Sequence, residues 1–258
     1  MIPRSKRAGI TESRGLVMDE AVSQGRLVAG VSYDIPGMGY RDPQTGRIDG
    51  FEADLARALG EKLLGDANRI VFARVTDDQR IELIQQGTVD MVLSQLTITP
   101  DRARQVDFSI PYWVTREGLL VCKGSGIKDL DDLKNKRIAV TAGSISLRRM
   151  RATFPEKDLT ITPLGIDNLR AVETGKADAA SNDLINLSMM IREAVHPDRY
   201  EIIDIGDRFD PKPFGVAVKK GRQSLLDELN PAIESLKTSG EIDRLMQQNL
   251  AKIGNAIV

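Results

Sequence analysis

Apolar positions recur along the chain with two periods. Leu55, Leu59 and Leu63 fall at i, i+4 and i+8 and predict a helix with one buried face, ended by Gly65-Asp66. Short, mostly apolar runs at 26–31, 70–75 and 89–93 read as buried strands. Between the last two, Arg80–Gln86 predicts a short helix with Ile81 and Ile84 inward and Gly87 as its left-handed cap. Asp42–Gly46 is rich in turn residues. This βαβαβ order predicts a parallel sheet with right-handed crossovers. The pattern then restarts, with a helical turn at 129–133, a strand at 137–141, a helix at 146–153 opened by Gly143-Ser144, a helix at 167–174 capped by Gly175, and a strand at 177–181. RIELIQQGTVDMVLSQ and NLRAVETGKADAASND both run helix, glycine cap, acid, short strand, polar residues. A single echo is not a solenoid; it is what two similar α/β lobes give.

Two segments read as connections between those lobes. Trp113–Val121 is a long extended run, and 208–214 is broken by prolines before a strand at 215–219 and two amphipathic helices. If those helices return to the first lobe, the chain crosses twice and a hinge results. The expected limits are 16–114 plus 213–258 for lobe 1, 118–208 for lobe 2, and 115–117 and 209–212 for the hinge. Residues 1–15 read as a flexible arm or a cloning remnant, and order is expected from a short helix through Met18, Ala21 and Val22. The cleft between such lobes is the expected ligand site.

Composition narrows the classes. The chain has 258 residues, 41% apolar and 28% charged, as in a globular protein rather than a disordered one. A formal net charge of -1 gives no basic excess for nucleic acid. One His and one Cys leave no ligands for a zinc site and no partner for an intrachain disulfide. A Ser/His/Asp triad could rest only on His196. No apolar run of membrane-spanning length occurs, and the charged N-terminus lacks the apolar core of an intact secretory signal. Cys122 lies in an apolar strand and reads as inert, Met189-Met190 as core filling, and the basic run 147–151 as a solvated helix face.

The segment from Ser94 to Arg102, SQLTITPDR, carries the sharpest local signal. Thr99 reads as an N-cap, with Pro100 at N1 and Asp101 in the first turn. Arg102 then stands at the C-terminal edge of a parallel strand, where open α/β sheets bind ligands. Its guanidinium can fork onto a carboxylate; otherwise it forms an ion pair beside Asp101 or Glu117. With VDFSIPY (106–112), GFEADL (50–55), GTVD (87–90), KRIAV (136–140) and PFGVAV (213–218), this segment closely resembles the polar amino-acid group of extracytoplasmic solute-binding proteins, which feed ABC importers. The resemblance runs from about Gly25 to Leu250 and implies the type II periplasmic binding protein fold, two Rossmann-like α/β lobes on a two-strand hinge.

That resemblance also implies roles. Arg102 should clamp the ligand α-carboxylate, Thr97 should add a hydroxyl or amide, and Gln95 a backbone carbonyl to the α-ammonium. Asp183 should pair with the ammonium from lobe 2, or else cap the helix that begins at Leu184. Ser144 opens a helix whose amides can hold the carboxylate, unless it is an ordinary capping turn. The aromatic rings that sandwich the ligand in many relatives are replaced by Ile35 and Asp77, with Tyr33 or Tyr40 as possible substitutes. Arg80 matches the arginine that meets a side-chain carboxylate in acidic-ligand relatives, but Ser32 stands where their second arginine would be. Arg80 is therefore either a ligand residue or the partner of Asp77 or Asp78. The expected ligand is glutamate, aspartate or glutamine, with a basic amino acid as the alternative. No cofactor or metal is implied, a monomer is expected, and the partners are ABC transporter membrane subunits. A periplasmic or membrane-tethered extracellular site follows from the family. Rival readings are a sensor domain of a larger receptor and a prephenate-type dehydratase on the same fold.

Overall fold

A computed structural model describes residues 20–252. The expected arm at 1–15 and the helix start at Met18 lie outside the described residues; of that helix, α1 (Glu20–Ser23) is seen. β1 (Leu27–Val31) is the apolar run that the sequence marks. A small antiparallel hairpin sheet follows, β2 (Asp34–Ile35), β3 (Gly39–Arg41) and β4 (Ile48–Asp49). Asp42 makes its turn by accepting the N–H groups of Gln44 and Thr45, each at 2.8 Å. Gly50 joins the hairpin to α2 (Phe51–Leu64) at φ 115°, and a Cβ there would sit 2.5 Å from the Met38 carbonyl oxygen, so only glycine fits. Leu55 and Leu59 of α2 are fully buried, as their spacing predicts.

β5 (Ile70–Arg74), α3 (Arg80–Gln86), β6 (Met91–Val92), α4 (Pro100–Ala103) and β7 (Val106–Thr115) complete the outward path. The second lobe holds β8 (Glu117–Cys122), β9 (Ile138–Thr141), α5 (Ile145–Thr153), β10 (Leu159–Thr162), α6 (Gly165–Glu173), β11 (Ala179–Asp183), α7 (Leu184–Met190) and β12 (Tyr200–Asp204). The chain returns as β13 (Lys212–Lys219), α8 (Gln223–Thr238) and α9 (Glu241–Lys252).

Two five-stranded sheets result, ordered β5-β1-β6-β13-β7 and β10-β9-β11-β8-β12. The strands of the expected βαβαβ unit, β5-β1-β6, are parallel as expected, but neither sheet is parallel throughout. β1 runs parallel to β5 and β6, but β13 is antiparallel to β6 and β7; β8 likewise opposes β11 and β12. The strands that carry the chain out and back are the antiparallel ones. Only Arg116 separates β7 from β8, so one extended run serves both sheets, and the return lies between β12 and β13.

Other differences have local causes. The prolines at 211 and 213 do not end regular structure at 214: β13 begins at Lys212, and its register shifts on either side of Gly215 absorb the irregularity. The run at 89–93 pairs as strand only at Met91–Val92. β2–β4, β10 and β12 were not predicted. Helices cover both faces of the sheets, so the central strands β1, β6 and β9 are almost wholly apolar and buried, while β11 is buried throughout but ends in the polar run Ser181-Asn182-Asp183.

Candidate functional site

The lobes meet at a closed seam. Gly143, at φ 75°, lies so near lobe 1 that a Cβ would fall 2.6 Å from the Asp77 carbonyl. Arg148 pairs with Asp101 at 2.7 Å, and Asp34 accepts the amide of Gly165 at 2.8 Å and that of Ile166 at 3.4 Å. Asp34 thus supplies to the first turn of α6, from the other lobe, the acceptor that the helix lacks. Burial, aided by Asp77, raises the Asp34 carboxyl above its ordinary value, with the two amides opposing. A small cavity of about 10 Å³ lies in the seam, its wall including Ser32, Asp34, Asp77, Gln95, Thr141 and Asn182.

Arg102 is placed by the motif that marks it. The Thr99 hydroxyl accepts the Arg102 amide at 3.3 Å and Pro100 fills the first turn, which fixes α4 directly behind the strand end. The Arg102 side chain donates to the carbonyl oxygens of Thr97 at 2.9 Å and of Gly143, across the seam, at 3.0 Å. Neither partner is an acid. Burial first, then the neighbouring Arg80 charge, pushes the guanidinium down to about 9, with Asp77 and Asp183 opposing. A buried cation held only by carbonyls is an unbalanced charge, and a carboxylate would balance it. Thr97 is buried beside it, bridging to Phe214 of β13.

Gln95 has a left-handed backbone, φ 45°. Its amide donates to Glu52 Oε1 at 2.7 Å, its side-chain Nε2 donates to Glu52 Oε2, and Nε2 also lies 3.3 Å from Ser32 Oγ. Arg80 is buried, with 2% of its side chain exposed, pairs with Asp77 at 2.8 Å, and donates to the Ser94 carbonyl. Of the two readings of Arg80, the observed partner is Asp77; Asp77, Gln95 and Ser32 reach the cavity wall, whereas Arg80, Thr97, Arg102, Ser144 and Asp183 do not line it. Ser32 carries no charge into that wall, and Ile35 and Tyr33 offer no stacked aromatic pair among the described residues.

On lobe 2, Asp183 stands at the N-cap of α7 but its side chain caps nothing. One oxygen lies 3.0 Å from Lys212 Nζ and the other accepts from Asn186 at 3.4 Å. Lys212 was missed. It is fully buried at the start of β13 and also meets Glu117 at 2.9 Å and the Ser146 hydroxyl at 3.0 Å. Glu117 gathers Ser146, Ser181 and Arg149 as well. Burial would raise the Glu117 carboxyl, but Lys212 and the two hydroxyls hold it below its ordinary value. Burial dominates at Asp183 and raises it, with Lys212 opposing. A lysine before a proline in a polar stretch reads as surface; the one sequence signal able to reveal it is Glu117, an acid opening an apolar strand and needing a buried cation.

Ser144 is a capping turn. Its hydroxyl accepts the Leu147 amide at 3.0 Å and donates to the Thr141 carbonyl at 2.7 Å, and its own amide is also turned to Thr141. The first-turn amides of α5 without an intrahelical acceptor are therefore those of Ile145 and Ser146, not Ser144.

Two α/β lobes crossed twice by the chain thus meet at a seam with the Arg102 cation on one face and the Asp183 carboxylate on the other. Residues 27–252 match the model of the bacterial extracellular solute-binding proteins, family 3, and the chain belongs to that family. It is 32% identical over 224 residues to the glutamine-binding protein GlnH of an ABC transporter from Bacillus subtilis, covering 86% of this chain and 80% of that protein. A glutamine-binding protein from Geobacillus stearothermophilus is also 32% identical, over 79% of this chain and 76% of the relative. Among solved structures, the cysteine-binding protein from Campylobacter jejuni superposes with a TM-score of 0.83 at 27% identity, covering 92% and 94% of the two chains. An ancestral arginine-binding protein bound to glutamine gives 0.78 at 31%, over 87% and 97%. The fold is thus that of type II amino-acid-binding proteins. The family is extracytoplasmic, and no helix among the described residues is long and apolar enough to cross a membrane.

Proposed function

We propose that this chain captures a free polar L-α-amino acid between its lobes and presents it to the membrane subunits of an ABC importer. The observation that carries the reading is Arg102, buried at the seam with carbonyl oxygens as its bonded partners. The ligand α-carboxylate balances that charge, Thr97 and the first amides of α5 assist, and Asp183 with the Gln95 carbonyl receives the ammonium. Residues 115–117 and 209–212 act as the hinge, and the protein works as a monomer outside the cytoplasm, tethered or free. Binding rather than turnover is supported by the named relatives, which are binding proteins.

Within the set glutamate, aspartate and glutamine, the side-chain end of the cavity favours glutamine. Arg80 has Asp77 as its ion partner, and Asp34 and Asp77 both line the wall, so a third carboxylate there would face two others. The same two acids support a second reading, a basic amino acid. Calorimetric titration of glutamine, glutamate and arginine tests both: glutamine should bind one-to-one and more tightly than glutamate. Arginine preferred by about 1.4 kcal/mol, a factor of ten, would install the second reading, and no binding by any of the twenty amino acids would remove both.

A further inference from the structure

We infer that Glu52 is a positioning residue for the ligand site, holding Gln95 in the conformation in which it faces the cleft. The inference rests on the reading of that cleft as an amino-acid site. Glu52 lies in the first turn of α2 and is fully buried. Its Oε1 accepts the Gln95 amide at 2.7 Å and the Tyr112 hydroxyl at 2.5 Å, while Oε2 accepts the Gln95 side-chain amide. Every hydrogen bond that Glu52 accepts from a side chain or from the cleft loop goes to Gln95 or to Tyr112. Gln95 is one of two non-glycine residues among those described with positive φ, a conformation that persists only where its surroundings over-determine it. Glu52 grips both ends of the residue, its backbone N–H and its side-chain amide. The same Gln95 Nε2 also reaches Ser32 Oγ at 3.3 Å, and both residues line the cavity wall. A core position without this task would hold an apolar side chain at lower cost, since burying a carboxylate is expensive.

The grip depends on charge. An ionised carboxylate offers only acceptors to these donors; a protonated one places a hydrogen opposite the Gln95 amide, which must then turn over or withdraw. Burial raises the Glu52 carboxyl to about 7, opposed by Tyr112 from β7, by Gln95 and by the Arg80 charge from α3. Asp77, paired with Arg80, and Asp183, which acts on Tyr112, are the other charges in reach. Gln95 should therefore loosen below neutral pH.

The test is calorimetric titration with glutamine, glutamate and arginine at pH 5.5 and pH 8, on the parent and on Glu52→Gln, with the ¹H–¹⁵N resonance of the Gln95 amide followed over the same range. The parent should bind its best ligand about tenfold more weakly at pH 5.5 than at pH 8. Glu52→Gln should be weak at both, with a ratio near one. The Gln95 amide proton should lie downfield at pH 8, move upfield with a midpoint near 7, and stand still in Glu52→Gln. Parental affinity and pH ratio in the variant, or a Gln95 amide that does not titrate, would overturn the inference. If no amino acid binds the parent, the functional reading fails, and the Gln95 resonance alone still decides the role of Glu52.

Discussion

On lobe 1, Arg102 is buried with carbonyl oxygens as its bonded partners, while across the seam Asp183 already has the ammonium of Lys212 at 3.0 Å. The two faces of the cleft are therefore not equivalent halves of a zwitterion receptor. The cationic face has no acid bonded to its guanidinium. The anionic face is part of a closed network in which Glu117, Asp183, Lys212 and Arg149 neutralise one another. If the proposed function holds, specificity for the α-carboxylate is concentrated in one residue, and recognition of the ammonium is shared and buffered.

Removing the buffer should give the largest effect on stability. Lys212→Met leaves Asp183 without its cation and should lower unfolding free energy by about 3 kcal/mol, read by denaturant melts. In that background Asp183→Asn should cost more ligand affinity than in the parent; equal costs would show that Lys212 and Asp183 do not communicate. In the parent, Asp183→Asn should weaken binding by about 1.5 kcal/mol, the scale of a hydrogen bond to a charged group. A loss as large as that of Arg102→Ala would erase the asymmetry between the faces.

The lobes should also respond oppositely to pH. Glu52 is raised to about 7, so its contribution to stability is present below its ordinary value of 4.5 and is lost as pH rises toward 7. Glu117 is lowered, so its contribution is present above 4.5 and is lost as pH falls through its depressed folded value. Thermal melts should therefore show Glu52→Gln gaining on the parent from pH 5 to pH 8, and Glu117→Gln losing ground as pH rises from the acid side to 5. Parallel trends would contradict the assignment. The smallest effect is expected at the seam itself: Asp34→Asn weakens the cap on α6 and should cost about 1 kcal/mol of closure, seen as a larger radius of gyration in scattering with ligand bound.

The pieces that sequence made legible are those that follow one local rule. Leu55, Leu59 and Leu63 announced α2, Gly87 announced the end of α3, and Thr99-Pro100 announced α4 and placed Arg102. The hairpin of β2–β4 escaped because its strands have two or three residues, too few to show a period. β10 and β12 lie at sheet edges, half-exposed, and lack the apolar run of central strands. At the site, a resemblance could single out Arg102 and Asp183 but not Lys212, whose partners Asp183, Ser146 and Glu117 are all distant in sequence. The choice between Asp77 and a ligand as the partner of Arg80 needed three-dimensional placement, since i, i+3 spacing permits the pair without requiring it.

The most direct test of the account is a calorimetric titration of glutamine into the parent and into Arg102→Ala at pH 8. The parent should bind one-to-one and the variant should lose about 2–5 kcal/mol of binding, with melting unchanged or raised because a buried, unbalanced charge is gone. Arg102→Ala binding glutamine as tightly as the parent would contradict it.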